Sequence, residues 1–426
     1  MKKMSFINFF IAFFVFLFCI FSCTGSQHSQ SQTAEVIVFF PGDESSEFVQ
    51  AEPAQEEPSY PRVTYLDIVA VGDNLVHHPI FQASYTDGSY SFHYIFDHIR
   101  DYILSSDIAF INQETIFGNE ELGFSGYPRF STPPEMGTAV VAAGFNIINF
   151  ANNHALDRGA EGIMSSIGYL DNYDHVFHLG IHRNREERTN RHVILDMNNI
   201  TVGFLAYTFS VNGIAFPAGR DYLVSMIDRD IMAAEINALR PLVDYLIVSM
   251  HWGEEYALRQ NRGQSDLAAL FAELGVDLVI GHHPHVLQPM EIITRPDGRP
   301  MPVFYSLGNF LSSHSRTTKE ALLGGIMYLR ISRTEYLDNI SLDESIQEIN
   351  REINIEEIGL IPVITHFDID RNNFGIYPLH EYTDELASLH WRSNFGSGDP
   401  EMDLEFFHNL AEEIFGSDLL LQSVSF

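Results

Sequence analysis

A chain of 426 residues is too long for one small core and leaves room for an enzyme-sized domain with appendages. The apolar fraction of 45% is that of a globular protein, while a formal net charge of -33 argues against nucleic acid as a partner, since like charges repel over the Debye length. An anionic ligand needs local compensation, which a bound metal ion supplies.

Residues 1–22 read as an export signal: Lys2 and Lys3, an apolar run over residues 11–21, then Ser22 before Cys23. Ile20-Phe21-Ser22-Cys23 resembles a bacterial lipobox, with bulky Phe21 departing from the commonest form. It predicts cleavage before Cys23 and lipidation there; the alternative is an uncleaved single-span anchor, for which the apolar run is short. The two cysteines are Cys19 and Cys23, so cleavage leaves no internal disulfide. Residues 23–61, rich in Ser, Gln, Glu and Pro, read as a lipidated, disordered tether holding an extracytoplasmic domain off the membrane.

From residue 62 onward, strands that run apolar and end polar recur: TYLDIVAVGD (64–73), SSDIAFINQE (105–114), GFNIINFANNH (144–154), DYLIVSMHWGEEY (244–256), DLVIGHHPH (277–285) and PVFYSLGNF (302–310). Helical periodicity falls between them at 160–173, 228–239 and 264–274. This alternation predicts an α/β fold whose sheet is covered on both faces, with ligands at the strands' carboxyl ends. Residues 191–209 read as two strands around an Asn-Asn turn, and LLGGIMYLRIS and GLIPVITHFDI as antiparallel strands after residue 320. Together these predict a second, more antiparallel sheet. The acidic stretch 335–357 reads as a solvated excursion and 375–426 as a C-terminal helical extension. Repeats, a Walker loop, GxGxxG and GxSxG are absent from the sequence.

The densest chemistry is VIGHHPHVLQP at 279–289. Strand alternation places His283 and His285 on one side and turns His282 away. Asp73, Asn112, Glu114, Asn152, Asn153, His154 and His251 end other strands. Such a set of oxygen and nitrogen donors without thiolate suits one or two divalent ions, Mn, Fe or Zn; a pair would share a bridging carboxylate and activate water. Asp157 reads as an N-cap for a helix beginning near Arg158. One of Glu254 and Glu255 is a candidate acceptor for a ligating His. Asn309 is expected to satisfy backbone groups beside a tight turn at Gly308, while His77, His78, His178, His182, His314 and His366 read as surface or core histidines.

GDN at 72, NQE at 112, ANNHALDRG at 151, HWGEEY at 251, GHHPHVLQP at 281 and YSLGNF at 305 resemble, in order, the motifs of the CapA family of poly-γ-glutamate capsule proteins. That family is similar to the calcineurin-like metallophosphoesterases. The resemblance implies a four-layer α/β/β/α sandwich over residues 62–374 and a dinuclear metal site. It also implies a role in synthesis, export or release of poly-γ-glutamate, with membrane synthase subunits as candidate partners. By position, Asp73, Glu114, Asn153, His251, His283 and His285 take metal-ligand places, Glu114 that of the bridging carboxylate. His154 takes the place of a His that stabilises developing charge. His77, His282, Asn112, Glu254 and Asn309 are supporting candidates. The phosphoesterase Asp-x-His motif is Asp73-Asn74-Leu75 here, so a ligand comes from His77 or His78 or is missing. The Gly-His-x-His motif is also out of register, which leaves the number of metals open. Two functions follow: a metal-dependent hydrolase or transferase acting on a phosphoester or γ-glutamyl linkage, and a non-catalytic accessory lipoprotein that binds the polymer or its synthase. An adhesin ranks below both, because the Phe residues lie mostly in strand runs.

Overall fold

The strand Arg62–Asn74 is buried from Leu66 to its end because neighbours cover both its edges and both its faces. In this computed structural model, which describes residues 61–190, 192–313, 318–338, 348–394 and 403–422, that strand lies at the centre of a mixed sheet. Export signal, tether, Cys23 and His314 lie outside the described residues. The sheet runs in the order Gly375–Pro378, Glu348–His366, Leu323–Asp338, Arg62–Asn74, Ile108–Gln113, Ile147–Asn149, Phe177–Leu179. A second sheet follows the order Leu287–Thr294, Pro300–Leu307, Leu278–His282, Tyr245–His251, Ile200–Thr208, Val193–Met197. Its inner four strands are parallel and its two edge strands antiparallel.

The sheets meet face to face. Phe110 of the first stacks on His282 of the second at 5.7 Å, and one core joins Ile68 and Ile111 to Ile247 and Ile280. A separate core on the far side of the second sheet packs Val248, Val279 and Val303 against Met232, Ile236 and Phe271 of helices Arg229–Leu239 and Arg262–Glu273. Helices Glu135–Ala142 and Gly159–Leu170 add Val140, Ile163 and Ile167 to the first core. The result is the four-layer α/β/β/α sandwich that the motifs imply. Each such side chain contributes roughly 1.5–3 kcal/mol by leaving water. Two helix starts on the second sheet carry side-chain caps: Asp228 accepts from the amides of Asp230 and Ile231, and Asn261 with Gln264 forms a reciprocal box, at about 1 kcal/mol per cap.

Three expectations change. The antiparallel strands after residue 320 do not build a second sheet; Leu323–Asp338 lies along the first strand in register from Arg62↔Glu335 to Val71↔Ile326. The acidic stretch is mostly the far end of a long hairpin, where polar groups pair across strands, Arg351 with Glu335 at 3.5 Å and Ser332 with Glu356 at 2.5 Å; residues 339–347 lie outside the described set. The proposed extension begins inside a sheet, since Gly375–Pro378 pairs with Val363–His366 as an edge strand. Beyond it, helix Leu404–Phe415 returns to the sandwich and sets Phe415 against Phe304.

Two glycines let the sheets' carboxyl ends converge. A Cβ on Gly72 would lie 1.9 Å from the Gly308 carbonyl oxygen, and one on Gly281 2.0 Å from that of Tyr305. No side chain fits either distance, so the residues after these glycines, Asp73 and His282, are brought close to neighbouring backbone.

Candidate metal centre

Parallel pairing aligns the strand ends. Asp73 is opposite both Asn112 and Asn309, and His251 is opposite His282. All are buried, and the loops beyond carry Glu114, Asn153, His283 and His285 into the same region. Two groups of donor atoms result, each spanning no more than 4.8 Å: Asp73, Glu114 and His285, and Glu114, His251 and His283. Glu114 belongs to both. Its oxygens lie 3.5 Å from His251 Nε2 and 3.8 Å from His285 Nδ1.

The donor set fits a pair of divalent cations. Among the described residues no hydrogen-bond donor reaches either oxygen of buried Glu114, and Nδ1 of His251 and of His283 also lacks a partner. Burying polar atoms this way costs about 1–3 kcal/mol each unless something else engages them. Asn153 joins the second group, its Oδ1 3.0 Å from His251 Nε2. Asp73 is oriented by Asn112, whose amide donates to Oδ1 at 2.7 Å and whose own oxygen accepts from Asn149 at 2.9 Å. Asn149 escaped the sequence reading; its place three residues before Asn152, on a strand ending, was the available signal. His285 Nδ1 lies 3.1 Å from both Asp73 Oδ2 and Asn309 Oδ1, while the Asn309 amide donates to the Ala321 carbonyl.

Other candidates fall elsewhere. His283 and His285 do not alternate on a strand, which ends at His282; they occupy a turn at φ 98° and 60°, left-handed values that non-glycine residues rarely adopt. His282 lies against Phe110, its Nδ1 3.7 Å from Asp73 Oδ1, outside both donor groups. His77 lies outside both donor groups, its Nδ1 meeting the Leu75 carbonyl and the Ser313 amide; His78 is exposed. The first group therefore has three donors. Glu254 and Glu255 are both exposed, and Glu255 is the member of that pair lining the cleft. Asp157 is no N-cap. The helix begins at Gly159, and Asp157 Oδ2 engages His154 Nδ1 at 2.8 Å and the Phe130 amide at 2.7 Å.

His154 thus sits on the wall of an open cleft of about 620 Å³ with its Nδ1 committed to Asp157. That fixes the ring and leaves the other nitrogen for a ligand. His285, Glu255 and Tyr256 share the cleft. Ions held here would polarise a bound group and lower the pKa of water toward neutrality.

Electrostatics without metal are conflicted. Burial, then Asp73 and Glu255, holds the Glu114 carboxyl well above the usual range. Burial pushes Asp73 upward too, but the hydrogen bond and charge of His285 outweigh it and its pKa falls. His285 rises for the reciprocal reason, against its burial. Burial, followed by neighbouring imidazoles, drives His251 well down and His283 down to about 4. Ligation requires Glu114 and His285 to release protons that the metal-free fold favours, whereas His283 is neutral above about pH 4. Affinity is therefore expected to rise with pH across the range where Glu114 and His285 titrate. Calorimetry in buffers of different ionisation enthalpy counts the protons released; zero release would remove both from the ligand set.

A family model described as "Bacterial capsule synthesis protein PGA_cap" matches residues 67–314, more than half of the chain. The chain is 29% identical over 292 residues to "Capsule biosynthesis protein CapA" of Bacillus anthracis, covering 66% of each. It is 33% identical over 184 residues to "PGA biosynthesis protein CapA" of Bacillus subtilis strain 168, covering 42% of this chain and 46% of that one. It thus spans about two thirds of the first relative and under half of the second. Among solved structures, the NAD nucleotidase of Haemophilus influenzae aligns over 76% of this chain and 55% of its own at 12% identity, with a TM-score of 0.40. A 5'-nucleotidase precursor from Thermus thermophilus aligns over 68% and 54% at 14% identity, with a TM-score of 0.39. With the motif order, the buried donor groups and the match over residues 67–314 all in agreement, the chain belongs to the PGA_cap family of bacterial capsule synthesis proteins.

Proposed function

We propose that this protein is a metal-dependent hydrolase of the metallophosphoesterase type that acts outside the cytoplasm in a poly-γ-glutamate capsule pathway. The observation that carries the proposal is Glu114, a buried carboxylate without a donor that is shared by two donor groups beside an open cleft. A buried carboxylate so placed gives little to stability and much to cation binding. The substrate class is a γ-glutamyl linkage of the polymer or a phosphoester, with His154 as general acid or charge stabiliser. Similarity to capsule and PGA biosynthesis proteins, and to a "Probable polyglutamine synthesis accessory protein" of Mycobacterium tuberculosis at 26% identity over 220 residues, supports the pathway.

A panel of p-nitrophenyl phosphate esters and poly-γ-glutamate, each with and without Mn²⁺, tests this reading. Metal-stimulated product release is the expected result. A second reading, a non-catalytic accessory protein that binds polymer or synthase, is favoured by the absence of an Asp-x-His ligand, Leu75 lining the cleft where that His would stand. No turnover of any panel member by the metal-loaded protein would select it.

The anchoring proposal rests on Lys2, Lys3, the apolar run and Cys23. Cys23→Ser is expected to abolish labelling by radioactive palmitate and to move the protein from the membrane to the soluble fraction. Unchanged labelling would rule out Cys23 as the lipid site.

A further inference from the structure

Arg371 lies outside residues 67–314, yet it lines the same cleft as His154, Glu255 and His285. It is the one guanidinium or ammonium group among the described residues of that lining. The turn that carries it, between Glu348–His366 and Gly375–Pro378, is held from several sides. The Arg371 amide donates to the Asp368 carbonyl at 2.8 Å, and the Asp368 amide donates to that of Asn372 at 2.9 Å. The Asn373 amide side chain donates to the Asp368 carboxylate, which also lies 3.1 Å from His366 Nε2. Arg371 and Asn373 both adopt left-handed backbone, φ 55° and 52°. Asn adopts that conformation readily, whereas for Arg it is uncommon.

The guanidinium carbon rests 4.7 Å above the ring centroid of Trp391, whose amide is tied to the Phe367 carbonyl at 2.9 Å. Among the described residues no carboxylate forms an ion pair with Arg371, although this chain carries 57 acidic residues against 24 Lys and Arg. Stacking on an aromatic face leaves the edge of the guanidinium fork available for two parallel bonds to a carboxylate or phosphate. A polyanionic ligand approaching a chain of charge -33 also needs positive charge at the point of entry.

From this geometry we infer that Arg371, seated on Trp391, is the receptor for an anionic group of the ligand in the cleft, and sets its specificity. The inference deepens the proposed function and rests on the cleft being the substrate site. A γ-linked glutamate chain offers one free α-carboxylate per residue beside each linkage; a phosphoester offers phosphoryl oxygens. Both present the same oxyanion chemistry.

Trp252 and Trp391 are the two tryptophans, and Trp252 is buried with its indole N–H on the Tyr305 carbonyl. A Trp252→Phe background therefore leaves Trp391 as the fluorescent reporter. Tetra-γ-glutamate, its α-methyl ester and inorganic phosphate are titrated into this protein and into Arg371→Ala and Arg371→Asn versions, Asn being tolerant of the left-handed turn. The expected result is at least a tenfold loss of tetra-γ-glutamate affinity in both variants, with ester binding unchanged. Loss confined to inorganic phosphate would support the receptor and identify its anion as phosphoryl. Anion affinities independent of Arg371 would overturn the inference. Arg371-dependent binding without any turnover would leave it standing and sink the hydrolase reading; turnover with Arg371-independent binding and KM would do the reverse.

Discussion

Glu114→Gln is expected to remove metal binding from both donor groups, whereas Asp73→Ala and His251→Ala each weaken it at one. The asymmetry follows from membership: Glu114 serves both donor groups, Asp73 only the first and His251 only the second. Elemental analysis of dialysed protein reads it directly, and activity is expected to fall by more than the roughly 10–100-fold cost of losing a residue that merely orients a ligand. Wild-type metal content in Glu114→Gln would refute the shared-carboxylate centre.

The same substitution makes an opposite prediction for the metal-free fold. Burial raises the Glu114 pKa in the native state, so its ionisation costs stability as pH rises above the unfolded value near 4.5. Glu114→Gln is therefore expected to stabilise the metal-free protein by about 1–3 kcal/mol at neutral pH. The gain should shrink as pH falls through 4.5 and vanish well below it, where the carboxyl is protonated folded and unfolded alike. Chemical denaturation at the two pH values measures it; a destabilised variant at neutral pH would mean that Glu114 holds the fold together.

His154→Ala is expected to lower kcat by roughly 10²–10⁴-fold while leaving metal content unchanged, the range for losing a positioned general acid. Neither donor group contains His154, which is tied instead to Asp157. Asp157→Asn should reproduce much of that loss, since a neutral amide no longer fixes the ring tautomer. Parallel kinetics and elemental analysis separate the roles. Loss of metal in His154→Ala would make it a ligand, and unchanged kcat in both variants would remove it from the chemistry.

Much of this centre was legible from sequence because the signals were local. A strand that runs apolar and then turns polar identifies its own exposed end, and parallel strands linked by helices place all such ends together. Asp73, Asn112, Glu114, Asn152, Asn153, His154, His251 and the histidines at 282, 283 and 285 stand out on that reasoning; the family resemblance selects Asp73, Glu114, Asn153, His251, His283 and His285 from them, and the structure brings these six into one region. Glu254 and Glu255 could not be told apart, since the choice depends on where the loop after His251 lies against the cleft.

Strand periodicity and motif order alone determined the α/β class, the carboxyl-end location of the site and its oxygen and nitrogen donors. Only tertiary structure decided that Leu323–Asp338 joins the first sheet, that one carboxylate is common to two donor groups, that Asp157 serves His154, and that Arg371 reaches the cleft. Each of these depends on contacts between residues distant in the chain or on backbone angles at turns. Periodicity records which face a side chain takes within its own strand, and carries no information about the partner waiting across the fold.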